Sequence, residues 1–396
     1  MANVTKWIAS LFLGMSVSLS MVLSAATDWV EFPGDPIYSP YPSSSLREDY
    51  FPFVIFNQNQ FDGHGAGVLY KMWHQGPNGI ALSYSNDGAN WTLEGQVVLD
   101  PSIAPRIPLH ASVIYDSTGF GGTPYFYKMW YWTGVVSFVP PNLAIKFTQS
   151  ADGVTWTTPV ITTQDTTSFL ANVGLPGQPF YQFYGFGTVL YNPSATSIPG
   201  QPLTFPYAAY FDSSAAERGS QTTEEAVALA YSSDGLFWTR YGSEPVLLPS
   251  GSTADWDGKY TYRASVFLLN GVYQMYFSGS SKINNPNHSF AYTFGIGSAT
   301  SSDGINWVQD PNNPIFTIND PGEAWRSGRT LAPSVVIGAP IQGNCPCCLS
   351  PQLQMWFSGG LNNGGNFLTI AIGYATLTLP GNSGGDRMWL KNKGKL

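Results

Sequence analysis

Cationic and aromatic side chains gather at the starts of short apolar runs in this chain: His110, Tyr260, Tyr262, Arg263, Arg326 and Arg329, with Arg106 close by. The planar guanidinium fork matches carboxylate, phosphate or sulfate groups. An aromatic ring offers a flat apolar surface that suits a sugar face. Together these residues describe a locally basic funnel for an anionic ligand, or else a set of internal ion pairs in which Asp255, Asp257 and Glu323 answer the arginines. The carboxylates nearest those runs are Glu48 and Asp49 before the first, Asp257 before the fourth and Glu323 before the fifth. Each is either a functional group or a loop acid, solvated or paired with Arg47, Arg263 or Arg326. His64, His74 and His288 are scattered and read as surface or turn residues.

A seven-residue word, Ser-x-Asp-Gly-x-x-Trp, sets the frame that must position these groups. It reads Ser85-Asn86-Asp87-Gly88-Ala89-Asn90-Trp91 and recurs at residues 150–156, 232–238 and 301–307. Asp accepts backbone N–H bonds locally, and Gly supplies a positive φ angle. Each copy follows an apolar run, such as Ile80-Ala81-Leu82-Ser83-Tyr84, and precedes a short strand that often ends in Pro-Val or Pro-Ile. Strand, Asp-Gly turn, strand is a hairpin. The Trp is expected to pack each hairpin against its neighbour. The word is scaffold and does no chemistry.

Two further strand signals precede each word. One carries an aromatic tag: Tyr70-Lys71-Met72-Trp73, Tyr127-Lys128-Met129-Trp130, Tyr207-Ala208-Ala209-Tyr210, Tyr273-Gln274-Met275-Tyr276 and Leu353-Gln354-Met355-Trp356. The other is a shorter apolar run upstream of each tag. Four strands per unit, repeated around a ring, predict an all-β protein, a five-bladed β-propeller. The fifth unit lacks the word and a fourth strand. Trp29-Val30-Glu31-Phe32-Pro33-Gly34-Asp35-Pro36-Ile37-Tyr38 aligns without a gap with Trp307-Val308-Gln309-Asp310-Pro311-Asn312-Asn313-Pro314-Ile315-Phe316. The N-terminal strand is therefore expected to complete the C-terminal blade and close the ring, removing exposed sheet edges. Trp256 and Trp325 each lie nine residues before a serine, Ser265 and Ser334, so units four and five enter their inner strands alike. Residues 164–183 and 213–225 break the spacing and read as insertions at the rim.

At this point the chain resembles the five-bladed glycoside hydrolases, the arabinanase, levansucrase and invertase group. The resemblance covers roughly residues 27–380 and is carried by the turn words and the Tyr-x-Met-Trp/Tyr strands. It implies an active site in the central funnel, where the inner strands begin, with carboxylates from separate blades acting on a glycosidic bond as acid and as base or nucleophile. Asp49 is then the candidate base, and Asp257 or Glu323 the acid. The inner-strand starts depart from the group's Asp-Pro: they read Phe51-Pro52, His110-Ala111, Phe186-Gly187, Arg263-Ala264 and Ala332-Pro333. Neither Arg-Asp-Pro nor Glu-Cys appears. The alternatives are a non-catalytic glycan- or protein-binding propeller that has lost its acids, and a phosphate-using glycan lyase of related fold. The group also admits a channel cation near a His, for which His110 is the only carrier; no other metal or cofactor is expected.

Composition fits this reading. Aromatics make up 15% and charged residues 11% of 396 residues, with 42 Gly and 30 Pro, a profile of short strands and tight turns. Residues 1–26 read as a signal peptide, with Lys6, an apolar stretch and Ser24-Ala25-Ala26. Export to a secreted or periplasmic location follows, an uncleaved membrane anchor being the other possibility. A net charge of −8 without a basic patch argues against a nucleic-acid partner. Cys345, Cys347 and Cys348 form one cluster, open to a local disulfide and an odd thiol. Residues 381–396, with Arg387, Lys391, Lys393 and Lys395, read as a basic solvated tail.

Overall fold

Repeated hairpin words and alternating aromatic strands leave little room for helix, and the computed structural model is nearly all-β. It describes residues 29–39, 51–62, 67–76, 79–99, 108–133, 144–164, 182–215, 224–252, 254–285, 288–318, 320, 324–338, 341–342, 349–350, 352–361 and 370–379. The signal-peptide, cysteine-cluster and basic-tail assignments lie outside these residues. Among those described, no helix is long and apolar enough to cross a membrane.

The chain runs as antiparallel meanders. The first is Phe53–Phe56, Tyr70–Gly76, Gly79–Ser85 and Thr92–Leu99; the second is Pro108–Tyr115, Tyr127–Thr133, Ala144–Ser150 and Val160–Ile161. Two more, led by Gln182–Tyr191 and Tyr260–Leu269, join into one ten-stranded sheet where Glu225 pairs in parallel with Tyr260. The last contains Arg329–Ile337, Gln352–Gly360 and Ile370–Thr378, and its fourth strand is Val30–Glu31. Val30 lies opposite Thr376 and Glu31 opposite Ala375, the pairing expected of the N-terminal strand. Within residues 213–225, by contrast, strands run on through Ala215 and restart at Glu224, so the hairpin is longer and the rim insertion shorter than expected.

One hydrogen-bond set builds each turn word. In the first, the Gly88 N–H donates to Ser85 Oγ at 2.9 Å, and the Ala89 and Asn90 N–H groups donate to Asp87 Oδ1 at 2.9 and 2.7 Å. The words at Asp152, Asp234 and Asp303 repeat it. Glycine is required twice over: Gly235 sits at φ 80°, and a Cβ there would lie 2.8 Å from the Trp130 ring.

The word Trp packs edge-on against the aromatic tag of the preceding meander. The pairs are Trp156–Trp73, Trp238–Trp130 and Trp307–Tyr210, with Trp91 against Trp356, at 5.7–6.2 Å and near right angles. Trp29 makes the equivalent contact with Tyr276 at 5.4 Å and 86°. Edge-to-face pairs of this kind contribute about 0.5–1.5 kcal/mol each beyond their buried area. Tag indoles also reach across: Trp356 Nε1 donates to the Gly88 carbonyl at 2.8 Å and Trp130 Nε1 to that of Gly235 at 2.7 Å.

Candidate functional site at the mouth of the lead strands

The first strand of each meander begins at one common cavity. Phe51, His110, Phe186, Arg263 and Ala332 line it, one from each meander. At about 30 Å³ it has room for a water and not for a sugar ring. Four of the five residues share a backbone state: φ is 58° at Phe51, 57° at His110, 56° at Arg263 and 55° at Ala332. Left-handed geometry is costly for side-chain-bearing residues and clusters at functional sites. Register shifts at Leu109/Ala111, Tyr262/Ser265 and Leu331/Ser334 mark bulges there, the device by which a strand re-aims a side chain.

The preceding meander holds three of the four left-handed residues. Ser358 Oγ accepts the Phe51 N–H at 3.0 Å, Ser278 Oγ accepts the Ala332 N–H at 2.7 Å, and Asp212 Oδ1 accepts the Arg263 N–H at 2.7 Å. These three acceptors occupy the same place, two residues beyond the aromatic tag. A second tier lies below: Ser334 Oγ accepts Val54 N–H, Ser112 Oγ accepts Val189 N–H, Thr188 Oγ1 accepts Val266 N–H and Ser265 Oγ accepts Val335 N–H, all at 2.8–3.1 Å.

Above this frame, the Phe51 ring lies 3.7 Å from the His110 ring, and the Arg263 guanidinium sits 4.8 Å from the Phe51 centroid. Arg263 is ion-paired through Nη1 with Asp212 Oδ2, and Asp212 is only 1% exposed. Burial raises the Asp212 pKa, and the adjoining guanidinium opposes the shift. His110 is buried; desolvation, reinforced by the Arg263 charge, holds its pKa well below the usual value, so its ring is neutral. Glu225 lies on the neighbouring strand. Burial, then the negative charge of Asp212, pushes its pKa up to about 7, with Arg263 pulling the other way.

The structure brings His110, Arg263 and, beside it, Tyr262 together; the guanidinium lies 5.8 Å from the Tyr262 ring. Tyr260 marks the junction with Glu225. Arg329 stands 5.8 Å from the Phe294 ring. Arg326 is placed elsewhere: it is 1% exposed and bonded to Glu31 at 2.9 and 3.1 Å and to Asp320 at 2.9 Å. Among the described residues, the carboxylate partners of Arg263 and Arg326 are thus Asp212, Glu31 and Asp320, and neither Asp255 nor Asp257 pairs with them. Asp257, 3% exposed, accepts a hydrogen bond from Gln309 Nε2 at 3.3 Å. Asp257 aligns with Arg326, and Gln309 with Glu31, so both pairs tie a meander's entry to its outer strand. Asp49, Glu323 and Arg106 lie outside the described residues. His74 is no surface residue: it is buried, with Nε2 3.0 Å from Ser83 Oγ.

A cation beside His110 does not fit these neighbours, because the Arg263 charge and aromatic faces adjoin it. Among the described residues no three His, Cys, Asp or Glu side chains converge as metal ligands. Sequence reasoning missed Asp212 and Glu225. The available signal was positional: two residues beyond the tag the meanders carry Gln75, Trp132, Asp212, Ser278 and Ser358, and only the third is acidic.

No family profile and no curated protein matches the sequence. Solved structures do share the fold. A family-62 α-L-arabinofuranosidase catalytic domain from Coprinopsis cinerea is 13% identical at a TM-score of 0.51, covering 89% of this chain and 98% of that one. An N-acetylgalactosamine deacetylase from F. plautii, in complex with blood group B trisaccharide, is 16% identical at 0.56, over 89% and 96%. A structure from the family-130 mannoside phosphorylases and hydrolases is 13% identical at 0.52, over 88% and 93%. The fold is that of the propeller families of glycoside hydrolases.

Proposed function

We propose that this chain is an exported, five-bladed, ring-closed propeller that hydrolyses glycosidic bonds in an oligo- or polysaccharide at the mouth of its central channel. One observation carries the reading: five lead-strand starts meet at a single floor bearing aromatic rings, a neutral histidine and a half-buried arginine paired with a buried aspartate. The Trp29–Tyr276 contact and the Val30–Thr376 register support closure of the ring. An anionic sugar would need arginines free of internal partners. With Arg263 and Arg326 answered by the chain's own carboxylates, an uncharged saccharide suits the mouth better. Asp49 remains the proposed base and Glu323 a candidate acid, whereas Asp257 serves the outer-strand tie.

A second reading, a binding propeller without turnover, draws on Asp212 being fully committed to Arg263. Screening the mature protein against neutral and anionic oligosaccharides, for released sugar and for thermal shift, separates the two. Release from a neutral sugar, lost in Asp49→Asn without loss of folding, is expected. Thermal shift with no release from any sugar would replace the enzyme by the binder.

A further inference from the structure

We propose that Glu225 is the proton donor of the channel-mouth site, with Asp212 and Arg263 as its positioning residues; this rests on the hydrolase reading above. Three placements support it. First, Asp212 lies opposite Val227, and Glu225 is two residues from Val227, so the two acids share a sheet face as diagonal neighbours. Such neighbours sit about 7 Å apart. Second, Glu225 pairs in parallel with Tyr260, and its N–H donates to the Lys259 carbonyl at 3.2 Å, three to four residues before the Arg263 bulge. Third, the two carboxyls differ in engagement. Asp212 spends both oxygens on Arg263, through the backbone N–H and Nη1. The Glu225 carboxyl makes no hydrogen bond among the described residues, and the residue keeps partial exposure.

That difference assigns the roles. Protonating Asp212 would leave a half-buried guanidinium uncompensated, so Asp212 is a poor carrier of a mobile proton. Glu225 has no such tie. The charged and titratable groups that face it are Asp212 from the second strand, and Arg263 and Tyr260 from the next lead strand. Burial and the Asp212 charge keep it protonated close to neutrality, as a general acid requires. In the step, its proton passes to the glycosidic oxygen while the C1–O bond breaks and the electron pair stays with that oxygen. The leaving sugar departs as a neutral alcohol. A water oxygen then completes C1, and the proton released from that water restores the one Glu225 gave.

The test compares wild type and Glu225→Gln on two substrates: the hydrolysed oligosaccharide and an aryl glycoside of the same sugar whose phenol leaves without protonation. Thermal melting checks folding. The expected result for Glu225→Gln is a fall in kcat/KM of about 100-fold or more on the oligosaccharide. A much smaller loss is expected on the aryl glycoside, together with disappearance of an alkaline limb near pH 7. Equal losses on both substrates in Glu225→Gln, or an unchanged pH profile, would overturn the proposal while wild-type turnover upholds the hydrolase reading. Wild-type protein inert toward every sugar would overturn both.

Discussion

Asp212 fills a slot that Ser278 and Ser358 fill in two other meanders, where each accepts one N–H from a left-handed residue. Only here is the slot charged and the next bulge an arginine. Asp212→Ala should therefore cost up to about 3 kcal/mol, because Arg263 is left half-buried and unpaired. The pair Asp212→Ser with Arg263→Ala copies Ser278 and Ala332 and should recover most of that loss, a coupling that a double-mutant cycle in urea measures. This pair was not legible in the sequence, since its members lie 51 residues apart and meet only through the bulge. His74 was misread for a related reason: nothing local announces its burial against Ser83 and Tyr38. Burial lowers its pKa to about 4, whereas the unfolded chain protonates near 6.5. Between those values the unfolded state binds the extra proton, so stability falls as pH drops from about 6.5 to 4, by about 3 kcal/mol at most. Urea midpoints at pH 7 and 4.5 should fall further for wild type than for His74→Gln.

The turn word was legible as an element because the bonds that shape it are local, spanning two or three residues. Four copies of one local solution leave four copies of one spelling. Its glycine answers a second demand that the spelling alone does not display, the approach of a neighbouring tag. Gly235→Ala should thus cost more than the 1–3 kcal/mol of a strained φ, because the added methyl meets the Trp130 ring. Gly251→Ala, at φ 77° with open space around it, carries the φ cost alone and serves as the control in the same melting series. The site was less legible than the word because its members are departures from the repeat. His110, Arg263 and Ala332 hold one position, and no spacing rule fixes which chemistry stands there.

For the whole molecule, the N-terminal strand replaces the missing fourth strand, which the Trp29-to-Tyr38 match already indicated. It brings the fifth edge-to-face pair, a carboxylate for the buried Arg326, and Asp35, which accepts the Tyr374 N–H at 3.0 Å. Deleting residues 27–38 removes all three and should lower the melting temperature by roughly 10 °C or more, given the several kcal/mol at stake. An unchanged melting temperature would contradict closure. The central claim is that a saccharide is held at the channel mouth, and its most direct test is ligand-induced thermal shift in wild type and Phe51→Gly. Glycine keeps the backbone at φ 58° and the N–H bond to Ser358, and removes only the ring that packs on His110 and Arg263. The account predicts that the neutral saccharide hydrolysed by wild type raises its melting temperature and leaves that of Phe51→Gly unmoved. An equal shift in both proteins would place the sugar elsewhere and contradict it.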